Sequence, residues 1–134
     1  MKLTTSDIKL ICMKLVRGVC AECYFPEDLP KGDITTDRAI IATSKNDIGK
    51  YWDKCIVTFS VIVPDVAPHI ANLSKLSAYE KKVQNLFIDG IAGEHEGEEY
   101  LVELLSIGLD NASNIRCHFV NAKLMFNSLN VTKE

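Results

Sequence analysis

Residues 54–63 alternate strictly between two faces, and this alternation constrains the fold more than any other segment of the chain. One face is wholly apolar and carries Cys55, Val57, Phe59, Val61 and Val63. The other face mixes isoleucine with hydroxyl side chains. A period of two indicates a β-strand. Because only one face is uniformly apolar, we predict a sheet that packs one side on helices and turns the other toward water or a partner.

Three more segments have the character of strands. Residues 38–43 form a short apolar run before a polar turn. Residues 100–109 and 115–129 flank the turn-forming segment 110–114, which predicts a hairpin. The last strand alternates, and its apolar side carries Val120, Ala122, Leu124 and Phe126. The predicted sheet is therefore mixed and mainly antiparallel.

Two segments show the three-and-four spacing of an amphipathic helix. The first runs from about residue 5 to 18, where Thr4 and Asp7 fit a capping box. The second runs from about 74 to 91, and Gly90 and Gly93 close it. The sequence thus predicts an α+β fold with two helices packed on one face of the sheet. The predicted core comprises Val57, Phe59, Val61, Leu86, Phe87, Leu124 and Phe126.

The length and charge of the chain exclude several classes of function. Its 134 residues, 47% of them hydrophobic, predict one folded domain over residues 1–134. The net charge is -3, and no lysine or arginine cluster exceeds Lys81–Lys82, so no basic face for gripping nucleic acid is expected. No apolar run has the length of a membrane span or a signal peptide. We therefore expect a cytosolic product with no membrane partner.

The five cysteines are an odd number, mostly in apolar surroundings, so disulfides are not expected. Cys20 and Cys23 have the spacing of redox motifs and zinc knuckles. They follow the end of a helix, whereas a redox pair uses a helix N-terminus to lower the pKa of its thiol. No second close pair of ligands completes a zinc site. The alternative is that Cys20 packs the helix while Cys23 lies in an adjoining strand, and we predict no bound metal.

Residues 94–99 place four glutamates around His95. Clustered carboxylates can hold a divalent cation, but an acidic connection between a helix and a strand is more often a solvated loop. His69 and His118 are single histidines with no acid beside them in the sequence. The chain contains no nucleophile elbow, phosphate loop or metallopeptidase helix. The sequence thus predicts neither a catalytic residue nor a cofactor.

Three stretches of the chain, in their order, resemble small neck and tail-terminator proteins of tailed bacteriophages, especially phages of Bacteroides-type gut hosts, including the crAss-like group. The stretches are 38–43 (RAIIAT), 55–65 (CIVTFSVIVPD) and 118–126 (HFVNAKLMF). The resemblance covers most of the chain in the order of its elements. The chain departs from the family at Thr58, Phe59 and Ser60 and in its Cys20/Cys23 pair.

The resemblance implies a structural virion protein without catalytic residues. Its copies would form a homo-oligomeric ring, six-fold in terminators or twelve-fold in connectors, between the DNA-filled head and the tail. Adjacent neck, portal or tail proteins would be its partners, and DNA would pass through the lumen without sequence-specific binding. The protein would be made in the cytoplasm of the bacterial host and end in the virion. The alternative from the residues alone is a small cytosolic metal- or ligand-binding module that uses the Cys20/Cys23 and His95 regions.

Two segments are predicted to be polar loops rich in proline or glycine, at 26–37 and 94–99. In a ring, a loop of this kind can reach across the interface to the neighbouring subunit. We predict that the loop at 26–37 contacts an adjacent subunit or ring, with Leu29 and Ile34 as apolar anchors. The acidic segment is expected to face the lumen or solvent, because burial of four unpaired carboxylates is costly.

Overall fold

The computed structural model describes residues 3–32, 34–68, 70–112 and 117–129. Two helices, α1 (Thr5–Val16) and α2 (Leu73–Phe87), accompany six strands. The strands are β1 (Cys23–Tyr24), β2 (Arg38–Thr43), β3 (Trp52–Pro64), β4 (Ile91–His95), β5 (Glu98–Ala112) and β6 (Cys117–Leu129). A single 3-10 turn, Pro26–Asp28, lies between β1 and β2.

The six strands form one sheet in the order β1-β2-β3-β6-β5-β4. Only β1 and β2 pair in parallel, and the other neighbours are antiparallel. The two longest-paired strands, β3 and β6, form the centre, in register from Trp52 opposite Leu129 to Pro64 opposite Cys117. The prediction of a mixed, mainly antiparallel sheet is confirmed.

Both helices pack on the same face of the sheet, as predicted, and this face holds the core. The inward side chains of β3 and β6 alternate as the sequence indicates: Phe59 is 1% exposed and Phe126 is fully buried. Val57, Val61, Leu124 and Phe87 are also buried. Leu86 is only half-buried and packs against the edge of the core. The predicted core is thus correct apart from the depth of Leu86.

The start of α1 follows directly from its sequence. The Thr4 hydroxyl accepts a hydrogen bond from the Asp7 backbone N–H at 3.2 Å, and the Asp7 carboxylate accepts one from the Thr4 N–H at 2.9 Å. This is the predicted capping box, which satisfies two backbone donors that the helix itself leaves unpaired. These contacts, first of all the bond from the Thr4 backbone, hold the pKa of Asp7 below its usual value.

The prediction for the end of the second helix is wrong. Helix α2 stops at Phe87, and Gly90 adopts a left-handed φ of 73° that reverses the chain into β4. Ile91 continues the spacing of the apolar face of α2, so its side chain is compatible with a longer helix as well as with a strand. Gly93, which we expected to close the helix, instead lies inside β4 opposite Tyr100.

The prediction of a loop at 94–99 is wrong as well. Glu94 and His95 belong to β4, and Glu98 and Glu99 belong to β5. Only Glu96 and Gly97 form the turn, with φ of 51° and 85°. Two consecutive residues with positive φ are the geometry of a type I′ hairpin turn, whose twist matches that of the flanking strands.

Candidate functional site

The face of the sheet opposite the helices is the first candidate surface, and we call it the outer face. Within the described residues no helix packs on it. Its centre mixes half-buried apolar side chains, such as Ile56 and Met125, with a line of polar contacts. The Ser60 hydroxyl donates to Asn121 Oδ1 at 3.0 Å, and Asn121 Nδ2 donates to Asp110 Oδ2 at 3.3 Å. These bonds cross β3, β6 and β5, so the outer face presents a fixed polar pattern that suits a wet contact with a partner.

The acidic charge of the chain is concentrated at the β4–β5 edge of the sheet. Seven of its 18 acidic residues, but none of its 15 lysines and arginines, lie in residues 88–112, which we call the acidic edge. The rest of the chain therefore carries 11 acidic against 15 basic residues. The net charge of -3 is thus the sum of -7 in residues 88–112 and +4 in the rest of the chain. An uneven charge distribution of this kind can steer the approach of a charged partner.

The hairpin tip of the acidic edge is held against α1. His95 Nε2 lies 3.7 Å from Asp7 Oδ1 and 3.9 Å from Glu96 Oε1. This places the β4–β5 turn beside the N-terminus of α1. Sequence reasoning associated His95 with its glutamate neighbours but missed Asp7, which is remote in the sequence.

The loop at 26–37, with its predicted anchors, connects β1 to β2, and its 3-10 turn contacts β2. Leu29 and Ile34 are both half-buried, so neither is a freely exposed anchor. Two contacts fasten this loop to its own domain: Lys9 Nζ lies 3.2 Å from Glu27 Oε1, and the Tyr79 hydroxyl donates to Asp37 Oδ2 at 2.6 Å. Lys75 adds an ion pair to Asp37 at 3.3 Å. Both ends of the loop thus contact other parts of the same chain, while the role of Leu29 and Ile34 at an interface stays a prediction.

For the Cys20/Cys23 pair, the structure agrees with the alternative to a redox or zinc site. Cys23 lies in β1, and Cys20 is buried. All five cysteines are free thiols. Burial raises the pKa of Cys23 to about 11 and also raises that of Cys20. Raised pKa values oppose thiolate chemistry. Among the described residues, no three His, Cys, Asp or Glu side chains come together in a way that could hold a metal ion.

His118 forms a contact that no sequence pattern indicated. Its Nδ1 lies 2.6 Å from Asp65 Oδ1, and the Asp65 side chain is only 4% exposed. This pair joins β6 to the segment that follows β3. The adjacent thiol, Cys117, has its pKa raised by burial, which is the reverse of what a nucleophile needs. His69 lies outside the described residues.

The connection between β2 and β3, residues 44–51, forms a projecting surface that sequence reasoning missed. Ile48 is 64% exposed, Tyr51 56% and Trp52, the first residue of β3, 41%. With Lys54, Ile56 and Met125 this segment lines a groove of about 310 Å³ on the outer face. Three large apolar side chains in one short turn were the available signal, because exposed aromatic residues mark contact sites more often than random surface.

Gly49 fixes the shape of this connection. Its N–H donates to the buried carboxylate of Asp53 at 3.2 Å, and a Cβ at this position would collide with the Trp52 carbonyl oxygen. We expect Gly49→Ala to lower the free energy of unfolding by about 1–3 kcal/mol, because the backbone must shift to admit the methyl group. The chain has one tryptophan, so its fluorescence reports this shift directly.

The matched control is Gly18→Ala, since a Cβ at Gly18 meets nothing within 4 Å. Urea unfolding of both variants, followed by the emission of Trp52, gives the comparison. Equal stability of the two variants would contradict the close approach at Gly49.

None of the described helices is long and apolar enough to span a membrane. No protein-family model matches the sequence, and no curated protein matches it. The fold, however, is similar to that of a chain in a solved structure described as the virion of a native gene transfer agent particle. The TM-score is 0.54 at 10% sequence identity, and the match covers 86% of this chain and 84% of the other. The two chains therefore share a fold over most of their lengths.

Proposed function

We propose that this chain is a structural virion protein that forms a ring at the head-to-tail junction of a tailed-phage-like particle, as a tail terminator or as a neck or connector ring. The observation that carries the proposal is the shared fold, over most of both chains, with a component of a gene transfer agent virion. The resemblance of residues 38–43, 55–65 and 118–126 to neck and tail-terminator proteins supports the same role independently.

The surfaces of the chain suit assembly with further copies. A ring needs two different contact surfaces on each subunit, because each copy meets one neighbour on either side. The chain offers an outer face without a helix, a projecting apolar connection at residues 44–51, and an acidic edge on the far side of the sheet. These surfaces differ in chemistry, as a heterologous interface requires.

The charge of the chain is also consistent with a passage for DNA. In the proposed ring the tip of the acidic edge, residues 94–99, lines the lumen or faces solvent, where its carboxylates repel the phosphate backbone. Such a lining lets DNA slide through without sequence-specific binding. The ring would contact adjacent neck, portal or tail proteins and would reach the virion from the host cytoplasm.

Purified particles from producing cells test the proposal. Quantitative mass spectrometry should find about six or twelve copies of the chain per particle, and cryo-electron microscopy should place its six-stranded fold in a ring between head and tail. Deletion of its gene should leave heads and tails unjoined. Particles that join normally without the chain would refute the proposed function.

The loop at 26–37 gives a second test, which asks whether Leu29 and Ile34 contact an adjacent subunit or ring. Replacing Leu29 and Ile34 together by serine should reduce incorporation into particles by about tenfold or more, since buried apolar anchors at an interface each contribute more than about 1 kcal/mol. Incorporation is measured by mass spectrometry of particles made with the variant as sole copy. Leu10 and Val66, which are 53% and 62% exposed, provide the control pair of serine substitutions. Normal incorporation of an intact, folded Leu29/Ile34 variant would remove this loop from the interface.

A further inference from the structure

Two exposed surfaces of this chain are complementary in both polarity and charge. The first is the connection at residues 44–51 together with the start of β3. Its apolar side chains are Ile48, Tyr51 and Trp52. Lys45, Lys50 and Lys54 are exposed around them, and Lys50 Nζ lies 5.4 Å from the centre of the Tyr51 ring. One exposed carboxylate, Asp47, lies in the same segment, so the three lysines leave a net positive charge. This surface, which we call the basic knob, is therefore apolar with a net positive rim.

The second surface is a groove at the acidic edge, which we call the edge groove. It has a volume of about 320 Å³ and lies between the end of α2 and β5; its lining is Phe87, Ile88, Asp89, Gly90, Leu101, Glu103 and Leu104. Ile88 is 76% exposed, the largest exposure among the large apolar side chains of the described residues. Asp89 and Glu103 supply negative charge, and the C-terminus of α2 adds the negative end of its dipole. The edge groove is therefore partly apolar with a negative rim.

The topology keeps these two surfaces apart within one subunit but at the same end of the sheet. Trp52 pairs with Leu129, and Tyr100 pairs with Ser128, so β3 and β5 begin at the same end. Strand β6 separates β3 from β5. The basic knob therefore lies toward the β2 side of the sheet and the edge groove toward the β4 side. A second copy set beside the first brings the knob of one next to the groove of the other.

We propose that the basic knob of one copy docks in the edge groove of a second copy, with Lys50 and Lys54 facing Asp89 and Glu103. This inference rests on the proposed ring and names the contact that builds it. The occupant is a second copy because the same chain carries both complementary surfaces, so a single head-to-tail contact covers the exposed apolar groups of both. Repetition of that contact uses the knob and groove of every copy. The copies close into a ring when the rotation from one copy to the next divides a full turn into equal parts.

Charge reversal tests the contact on the purified chain. The knob variant is Lys50→Glu with Lys54→Glu, and the groove variant is Asp89→Lys with Glu103→Lys. Sedimentation velocity at low salt and at protein concentrations up to the millimolar range should show self-association of the unmodified chain. Each variant alone should lose it, because like charges then face each other. The chain that carries all four substitutions should regain it, as should a mixture of the two variants.

Two controls separate this contact from general effects. Lys14→Glu with Lys81→Glu changes the net charge equally at exposed positions elsewhere and should leave association unchanged. Glu103 accepts a hydrogen bond from Asn127 at 3.2 Å, so melting curves must show that the groove variant is folded. For an unfolded variant, disulfide trapping replaces charge reversal: Ile48→Cys with Ile88→Cys should crosslink copies under oxidant, whereas Leu10→Cys with Ile88→Cys should not.

The outcomes distinguish this contact from the proposed function. Association that survives both charge reversals, or that the fourfold variant does not regain, overturns the knob-and-groove contact. An unmodified chain that stays monomeric at millimolar concentration overturns it too. Neither result alters the number of copies found in purified particles, which decides the virion role separately.

Discussion

Replacing Phe59 by alanine is expected to lower the free energy of unfolding by about 3–5 kcal/mol. Phe59 is 1% exposed at the middle of β3, between Ile41 of β2 and Ala122 of β6. Its partner on β6, Ala122, is too small to fill the cavity that the ring leaves. Small domains have a total stability of about 5–15 kcal/mol, and the loss is therefore a large part of the whole. Urea unfolding followed by circular dichroism measures it.

The matched control is Phe119→Ala on the adjacent strand. Phe119 lies opposite Ile62 on the outer face and is half-buried, so the same chemical change there should cost less than half as much. Equal losses for the two variants would mean that the outer face is as well packed as the core. That result would contradict the one-sided burial on which the fold rests.

Alkaline pH is expected to unfold the protein through its buried thiols. Burial raises the pKa of Cys12 from 9.0 to about 12, and it also raises that of Cys23 to about 11. A group with a raised folded pKa stabilises the fold fully below its unfolded pKa and loses this contribution as the pH rises toward the folded value. The loss therefore begins near pH 9 and continues to about pH 12. For Cys12 alone the rise corresponds to about 4 kcal/mol.

Unfolding midpoints in urea at pH 7, 9 and 11 measure this loss. Cys12→Ala removes one titrating group. The free energy of unfolding of this variant should therefore fall less steeply between pH 9 and 11 than that of the unmodified chain. The slopes are compared rather than the absolute values, because the smaller side chain also leaves a cavity. Raised pKa values at Cys20, Cys55, Cys117 and Tyr79 act in the same direction. Unchanged stability between pH 7 and 11 would show that the thiols are accessible to water.

The long strands were predictable because each contains enough residues for the alternation of its side chains between two faces to be recognised. The alternation of β3 and β6 gave the buried face residue by residue, and the capping box gave the start of α1. The end of α2 was not predictable in this way. Ile91 suits a helix face and a strand equally, and the left-handed Gly90 decides between them. The short β4 then pairs only with β5, so its existence depends on a neighbour and not on its own sequence.

The candidate surfaces were harder to predict, because they depend on residues that are distant in the chain. The contacts of His118 with Asp65 and of Tyr79 with Asp37 join segments whose spacing carries no signal. The basic knob was missed because its segment was interpreted as a polar turn, and the edge groove forms only where the end of α2 meets β5. Leu29 and Ile34 were predicted from the polarity of their loop, which does not show the polar contacts that fasten it to its own domain.

The central pairing of β3 with β6 has a consequence for how the protein folds. Strands β4, β5 and β6 follow one another and can form by local hairpins, as can β2 with β3. The other neighbour of β3, however, is β6, which the ribosome makes much later. Sheets dominated by such distant pairings fold in milliseconds to seconds. During that delay the apolar residues of β3 are open to other nascent copies. The rate at which β3 reaches β6 therefore sets the balance between correctly folded subunits and aggregated chains.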